Sequence, residues 1–585
     1  MKKLIKNISF LFFVATFLFG CQEDFLERAP LDEISSETFW NTENDLMVYN
    51  NNLYNRAKND GNIPIMMGHT DSPFNSHWAS LWFQDGFTDD AAPENPRHDN
   101  FNEVRAGIHQ VQTGPRRFGY SNWHFVRAIN IGLENYDRAD IPQSTINMYA
   151  GEARLFRGWF YADKVSKFGD VPWLDKELNV DSPELYGPRT PREEAMENVL
   201  ADLQFAAEHL PADRNWGGDP GRLNKYCALA VLSRVALFEG TWRKYHGGTD
   251  PDRWIQIAAD AALELMESGV YEIYTTGDPT TDYRSWQNQI DMTGNPEVIY
   301  WRKYISGIVN NQIQGYYNGY HGGHTKDFVE DYLDTDGLPI RLSNLYQGDA
   351  MIEDVFENRD PRMRQTILHP DDESWIFEGT VSPGALRSWT GYRNIKFFNQ
   401  NQQGRAFGQQ DLAAITLRYA EVLLNYAEAK AELGTLTQAD LDMSINLLRD
   451  RVGMPHMDIN NIPVDPKYIP QWHTDPLIIE IRRERRIEMA SEGLRYNDIR
   501  RWKWGKKLEQ PDLGFRWDAP NRERYFLTDD DARRTTIVDG VEYIEAYQGT
   551  DYANPVFDES KHYLWPIPLN DLSQNPEIGQ NPGWD

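Results

Sequence analysis

The sequence predicts a mainly α-helical protein: a tetratricopeptide-like scaffold of repeated helices, with long irregular loops and a few short strands that form a ligand face. Apolar residues recur at spacings of three and four from Ile415 to Leu433, and Gly434 follows as a residue that ends helices. A second helix is predicted at 438–452, and two helices joined by a short turn are the unit of such arrays. Further helices are expected at 145–167, 190–209, 222–240, 251–268 and 476–492.

The helix at 190–209 has the clearest start signal. Thr190 is placed as the N-cap, Pro191 as the first helical residue and Glu193 as the partner in a capping box. We therefore expect the side chains of Thr190 and Glu193 to bind the free backbone N–H groups at this end.

Two stretches between the helical blocks have a different character. Residues 67–122 and 271–412 are rich in Gly, Pro, Asn, Asp and aromatic residues and lack a helical period, and a short strand is predicted at 297–303. The C-terminal stretch 508–585 is similarly irregular. Long loops on a rigid scaffold are where binding functions concentrate, so we expect these loops to form the ligand face.

The composition excludes some classes of function. The 585 residues include 59 Lys and Arg against 89 Asp and Glu, which gives a formal net charge of -30 and a field that repels nucleic acid. Aromatic residues make up 13% of the chain, more ring surface than a helical core needs. Some of these rings are therefore predicted to face a ligand.

The N-terminus is predicted to be a signal peptide covering residues 1–20. Three lysines within the first six residues precede an apolar run from Ile8 to Gly20, which is shorter than the roughly 20 residues that a membrane-spanning helix needs. The run ends in Leu18-Phe19-Gly20-Cys21, which resembles a bacterial lipobox. Cys21 is then expected to carry lipid, palmitate included, and to anchor the chain. The alternative is an ordinary secretory signal followed by a chance cysteine.

Metal ions and cofactors are not predicted. Cys227, the second of two cysteines, lies in an apolar helical run and is expected to be a small buried residue without a redox role. His321 and His324 flank two glycines but are far from a closed set of metal ligands. Asp334 opens a calcium-like sequence that lacks the later acidic ligands, so a turn is the favoured interpretation.

The densest group of charges lies between Glu480 and Lys503. Glutamates recur there at every fourth position, and three pairs are spaced to interact: Glu480 with Arg483, Arg485 with Glu488, and Glu492 with Arg495. A patch for anionic ligands is the alternative, but the interleaved carboxylates neutralise it. We therefore interpret the segment as scaffold.

Motifs spread over nearly the whole mature chain carry a family resemblance. They are Cys21 to Glu27 with Pro30, Phe39-Trp40, Gly151 to Arg157, Phe168 to Pro172, Arg418 to Leu424, Glu484 to Glu488, Glu492 to Tyr496, Asp498 to Trp502, Pro566 to Pro568, and Gln580 to Gly583. In this order and spacing the chain resembles the SusD/RagB lipoproteins, which capture nutrients at the surface of glycan-degrading bacteria.

The resemblance implies binding without catalysis at the outer membrane, on its exterior side, and a lidding role over a SusC-like TonB-dependent transporter. It also implies a division of the chain into a signal peptide (1–20), a SusD-like N-terminal helical region (21–241), a loop-rich ligand-binding insertion (271–412) and a C-terminal region (413–585) of helices and an irregular tail.

Glycan recognition needs aromatic rings that stack on sugar C–H faces and planar polar groups that bind hydroxyls. The loops offer these candidates: Trp78, Trp82, Asn102, Phe118, Tyr120, Trp286, Tyr316, Tyr317, Asn318 and Tyr320. For each of them the alternative is that the side chain packs beneath its own loop.

The leading hypothesis is a surface-anchored lipoprotein that captures an oligosaccharide or polysaccharide and delivers it unchanged to the transporter. A RagB-like peptide carrier is the second hypothesis, and it would favour an exposed strand edge. A glycoside hydrolase is the third, because 89 acidic residues leave room for a pair of catalytic carboxylates.

Overall fold

The computed structural model describes residues 39–59, 69, 81–92, 99–114, 119–218, 221–311, 313, 323–372, 388–402, 409–468, 472–525 and 534–584. The predicted signal peptide and Cys21 lie outside the described residues. The same is true of parts of both aromatic-rich loop regions.

Helices and strands are numbered here along the chain. The helices are α1 (Glu43–Asn59), α2 (Asp99–Ala106), α3 (Trp123–Asn135), α4 (Gln143–Phe168), α5 (Arg192–His209), α6 (Lys225–His246), α7 (Pro251–Glu267), α8 (Lys326–Val329), α9 (Arg362–Thr366), α10 (Tyr419–Glu432), α11 (Gln438–Asp442), α12 (Ile445–Arg451), α13 (Pro476–Glu488), α14 (Arg495–Arg501), α15 (Ala519–Tyr525) and α16 (Leu569–Gln574). The strands are β1 (Ala91–Ala92), β2 (Val298–Arg302), β3 (Gly323–His324), β4 (Ala414–Arg418), β5 (Leu513–Arg516), β6 (Thr535–Val538) and β7 (Val541–Glu545).

The long helices pack side by side in chain order. α4 lies against α5, α6 lies between α5 and α7, and α10 packs on α6, α7 and α13. One large cluster of buried apolar side chains, including Phe160, Leu203, Val231, Trp254 and Leu423, runs through this layer. Stacked helices that bury one continuous core are typical of helical-repeat proteins. The predicted mainly α-helical, tetratricopeptide-like fold class is confirmed.

The described strands form three small antiparallel sheets. β2 pairs with β4, β1 pairs with β3, and β7 lies between β5 and β6. In the first sheet Trp301 lies opposite Ile415, and every residue of both strands is buried. The third sheet lies in the C-terminal stretch, which was predicted to be irregular. The first sheet, β2 with β4, contacts α6 of the helical layer.

The helices predicted at 145–167, 190–209, 222–240, 251–268 and 476–492 are confirmed with small shifts of their ends. The prediction that Ile415 opens a helix is wrong, because β4 runs to Arg418 and α10 starts only at Tyr419. Ile415 and Thr416 are β-branched and therefore suit a strand. The pairing of this segment with β2 overrides the helical spacing of its apolar residues.

The helix predicted at 438–452 is interrupted, forming α11 and α12. Ser444 stands at the break, where its hydroxyl donates a hydrogen bond to the carbonyl of Asp440 at 2.5 Å. Such a bond competes with the backbone ladder of a helix.

The predicted capping box at Thr190 is also wrong. α5 starts at Arg192 without a side-chain cap, the Thr190 hydroxyl accepts from the N–H of Trp173, and Glu193 accepts from the N–H of Thr249 at 2.9 Å. A true capping box forms at Thr437 and Asp440, at the start of α11.

α13 carries a network of buried ion pairs through the centre of the molecule. Its charged side chains reach different elements: Arg482 reaches Glu432 of α10 at 2.9 Å, Glu484 reaches Arg362 of α9 at 2.6 Å and Arg449 of α12 at 2.9 Å, Arg486 reaches Asp90 at 2.7 Å, and Glu488 reaches Arg451 of α12 at 2.6 Å and Arg418 of β4 at 2.7 Å. All of these α13 side chains are buried. The scaffold interpretation of this segment therefore agrees with the contacts.

Two of the three ion pairs predicted from spacing do not form as expected. Glu480 does pair with Arg483 at 2.6 Å. Arg485 instead pairs with Asp498 of α14 at 2.9 Å, and Glu492 pairs with Lys396 and Arg418 at 2.6 and 2.8 Å. Arg495 pairs with Asp89 at 2.8 Å. Spacing along one helix describes neighbours on a solvated surface, whereas these side chains are buried among other elements that supply partners.

Removing one charge from this network is expected to destabilise the fold strongly. Burial raises the pKa of Glu488, but the arginines at 451, 418 and 362 outweigh it and hold that pKa well below its ordinary value of 4.5. The stabilisation is therefore complete above pH 4.5 and is lost as the pH falls toward the folded-state pKa. We predict that Glu488→Gln lowers the free energy of unfolding at pH 7 by about 3 to 5 kcal/mol, measured by urea denaturation.

The matched control is Glu197→Gln, which breaks the exposed pair with Arg253 at 2.7 Å. Its expected cost is at most about 1 kcal/mol. If both variants lowered the free energy of unfolding by the same amount, a special role for the buried network would be contradicted.

Candidate functional site

A short segment around Trp389 is held rigidly between two sheets. A Cβ added to Gly323 of β3 would lie 2.5 Å from the hydroxyls of Ser388 and Thr390, and one added to Gly514 of β5 would lie 2.1 Å from the carbonyl of Thr390. Only glycine permits this close approach on each side. Ser388 and Thr390 are fully buried, while Trp389 between them is half-buried. The backbone that carries this indole is therefore held in place.

Trp389 belongs to a group of aromatic and polar side chains that we call the Trp389 cluster. Its members are Asn102, Trp389, Arg534, Tyr547 and Tyr552. The rings of Trp389 and Tyr552 pack against Tyr547 together with the small residues Ala92 and Ala546. The guanidinium of Arg534 lies 5.2 Å from the centre of the Trp389 ring. The two tyrosine rings meet edge to face at 6.0 Å.

The polar groups of the cluster keep unused hydrogen-bonding capacity. The hydroxyl of Tyr547 donates to Oδ1 of Asn102 at 2.8 Å, and burial holds the pKa of that hydroxyl well above its ordinary value, so it stays protonated. In the described part of the chain, neither Nδ2 of Asn102 nor Nε1 of Trp389 finds an acceptor. Buried N–H groups without an acceptor are rare in folded proteins. Both atoms are shielded from solvent, so an enclosed water is the partner that would satisfy them.

This arrangement suits a ligand with hydroxyl groups and apolar C–H faces. The half-buried rings of Trp389 and Tyr552 offer stacking surface, and the half-buried guanidinium of Arg534 beside them offers planar hydrogen-bond donors, whereas Asn102 is 1% exposed and holds Tyr547 from below. Rigid groups of this kind lose little conformational entropy on binding.

Of the residues predicted to bind ligand, Asn102 lies in the cluster but is only 1% exposed, and its Oδ1 accepts from the hydroxyl of Tyr547. Tyr120 is 2% exposed and packs on Trp123 and Phe168, with ring centres 5.4 and 4.9 Å away. Trp286 is also 2% exposed and lies in a separate core with Met292 and Trp301. In this conformation both rings pack beneath their own loops.

The remaining predicted residues are placed as follows. Trp82 begins a 3-10 helix, Trp82–Phe87, but its side chain lies outside what the structure describes. Residues outside the described ranges are Trp78, Phe118, Tyr316, Tyr317, Asn318 and Tyr320, together with Cys21. The first described residue after Tyr320 is Gly323 of β3, the strand that pairs with β1 beside the cluster.

Of the two histidines at 321 and 324, only His324 lies within the described residues. Its ring is buried and lies with Nδ1 3.1 Å from the carbonyl of Asp90, and burial lowers its pKa to about 3. Among the described residues, no group of three or more acidic, histidine or cysteine side chains is arranged to hold a metal ion. Within the same ranges, no helix has the length and apolar character needed to cross a bilayer.

Sequence reasoning missed Trp389, Arg534, Tyr547 and Tyr552. A tryptophan before Thr390-Gly391 and the tyrosines of the C-terminal stretch were visible signals. That these side chains meet in the fold was not visible, because the cluster residues come from four separate parts of the chain.

Solved structures share this architecture. A SusD-like carbohydrate-binding protein of Bacteroides fragilis superposes with a TM-score of 0.72 at 22% identity, over 92% of this chain and 100% of that one. A laminarin-binding SusD-like protein superposes with a TM-score of 0.57 at 17% identity, over 93% of this chain and 100% of that one. These likenesses establish the fold.

Sequence comparison places the chain in a family. A SusD-like protein of Bacteroides ovatus is 22% identical over 96% of this chain and 95% of its own length. SusD-like protein P2 of Formosa agariphila is 24% identical over 78% of this chain and 77% of its own length. Residues 282–584, which include Trp389, Arg534, Tyr547 and Tyr552, match the sequence profile of the SusD family. The chain belongs to the SusD family.

Proposed function

We propose that this protein captures an oligosaccharide or polysaccharide at the cell surface and passes it, chemically unchanged, to a SusC-like TonB-dependent transporter. The observation that carries the proposal is the Trp389 cluster, in which a half-buried indole, a half-buried tyrosine ring and a guanidinium lie together. Family membership supports it, as do two structural neighbours described as carbohydrate-binding and laminarin-binding.

The same proposal includes a lipid anchor at Cys21 in the outer membrane, with the protein facing the exterior. The lipobox-like sequence before Cys21 supports it, and two or three acyl chains provide stable attachment. We expect Cys21→Ser to abolish labelling by radioactive palmitate and to release the protein from the membrane fraction. Unchanged labelling would contradict the anchor.

A peptide carrier is the second candidate function, and one observation favours it. β6 is an outer strand of its three-stranded sheet, and Ile537 on this strand is 73% exposed. An exposed strand edge is the feature that peptide capture by strand addition requires. The Trp389 cluster, by contrast, offers ring faces that stack on sugar C–H groups and a guanidinium that binds hydroxyl groups.

Binding tests separate the two candidates. The chain from Gln22 onward is run by affinity electrophoresis against plant, host and microbial polysaccharides, laminarin included, and titrated with peptide mixtures by calorimetry. We expect at least one polysaccharide to retard the protein in the gel. We also expect the chain length of that polysaccharide to be unchanged after long incubation with the protein. Heat on peptide addition without any retardation would favour the peptide carrier, and shortened glycan would favour a hydrolase.

Trp389→Ala is expected to weaken binding of the retained polysaccharide at least tenfold, about 1.4 kcal/mol, because the stacking surface is lost. The measurement is the retardation as a function of polysaccharide concentration. Tyr186→Ala is the matched control, since Tyr186 is a ring that is 52% exposed on another loop. Equal binding by wild type and Trp389→Ala would contradict the proposal that the cluster binds the glycan.

A further inference from the structure

One cation of the Trp389 cluster is not neutralised by the residues that the structure describes. Arg534 is half-buried, and its guanidinium lies 5.2 Å from the centre of the Trp389 ring. Its Nη1 donates one long hydrogen bond, of 3.4 Å, to the carbonyl of Ala546. In the described part of the chain no carboxylate forms an ion pair with Arg534, and its Nε and Nη2 find no acceptor. A positive charge and several N–H donors therefore remain available beside the indole.

Arg534 differs in this respect from the other arginines that lie over a tryptophan ring. Among the described residues, each of those arginines also pairs with a carboxylate. Arg192, for example, lies 4.4 Å from the centre of the Trp242 ring and binds Glu239 at 2.6 Å. There the carboxylate neutralises the cation and occupies N–H donors of the guanidinium. Arg534 makes the same kind of ring contact but keeps an unopposed charge.

The acidic side chains of the adjoining sheet are engaged elsewhere. Asp512, just before β5, is buried and pairs with Arg105 at 2.5 Å. Glu542 of β7 accepts a hydrogen bond from a threonine hydroxyl of β6 at 2.8 Å. Glu545 of β7 is buried, and burial raises the pKa of its carboxyl because the charged form is poorly solvated there. None of these three described carboxyls forms an ion pair with Arg534.

An unopposed arginine is a binding group for anions. Its planar guanidinium matches two oxygens of a carboxylate or a sulfate at once. The chain as a whole repels anions, because its formal net charge is -30, so a polyanion is held only where a cation is locally unopposed. We propose, as an inference that rests on the glycan-binding function proposed above, that the Trp389 cluster selects an acidic polysaccharide. Arg534 binds a carboxylate or sulfate of one sugar, while a ring of the same polymer packs on the half-buried aromatic rings.

The test compares polymers that share a backbone and differ in charge. The chain from Gln22 onward is titrated by biolayer interferometry on immobilised polygalacturonate and on the same polymer after chemical reduction of its carboxylates, which makes it neutral. Dextran sulfate and dextran form the second pair, so that a preference for carboxylate and a preference for sulfate are measured separately. We expect at least one acidic polymer to bind about tenfold more tightly than its neutral match.

Arg534→Gln is expected to abolish this preference, because the amide keeps a planar polar group but loses the positive charge. Arg138→Gln is the matched control, since Arg138 is exposed, lies on another part of the chain and donates to Asn135 at 2.9 Å. It changes the net charge by the same amount and should leave the affinity for every polymer unchanged.

The inference is overturned if neither acidic polymer binds more tightly than its neutral match, or if Arg534→Gln and Arg138→Gln weaken acidic binding equally. Retention of neutral glycans that depends on Trp389, without any preference for acidic ones, would overturn it while the proposed glycan function stands. Glycan binding that is insensitive to Trp389→Ala would contradict the proposed site itself, and this inference with it.

Discussion

The fold depends on the burial of charge at its centre. α13 places arginines and glutamates on all of its faces, and each finds partners on a different element: Glu432 on α10, Arg451 on α12, Arg362 on α9, Arg418 on β4 and Asp90 beside β1. Removing two charges from water is costly, and the attraction between them repays the cost only when the geometry is exact. A misplaced element would leave a buried charge unpaired. We infer that the network favours this arrangement of helices and loops over others that an apolar core alone would allow.

The same network holds the segments that carry the Trp389 cluster. Arg486 and Arg495 bind Asp90 and Asp89, which directly precede β1. Lys396 is fully buried, and its ammonium binds Glu492 at 2.6 Å, which fixes the chain a few residues after Trp389. Burial lowers the pKa of Lys396 to about 8, so it is largely charged at neutral pH and the pair persists. The segments that carry Trp389 and β1 are thus held by buried ion pairs a few residues away.

Sequence reasoning succeeded where structure is decided locally. The helix at 145–167 follows from apolar spacing, and α4 covers it. It failed where a distant segment decides: β4 is a strand because β2 pairs with it, and Glu492 binds Lys396 because both are buried together. The site followed the same rule. Trp389 and Arg534 become neighbours only in the fold, and Asn102, Tyr120 and Trp286 look like ligand residues until their burial is known.

The most direct test of this account is hydrogen–deuterium exchange of the chain with and without a polysaccharide that it retains. Amides of α13 are expected to exchange slowest in both states, because opening this helix breaks several buried ion pairs at once and leaves their partners buried without a counter-charge. Added protection is expected to be concentrated in peptides covering 388–390 and 541–552. Fast exchange in α13, or protection confined to segments away from these two, would contradict this account.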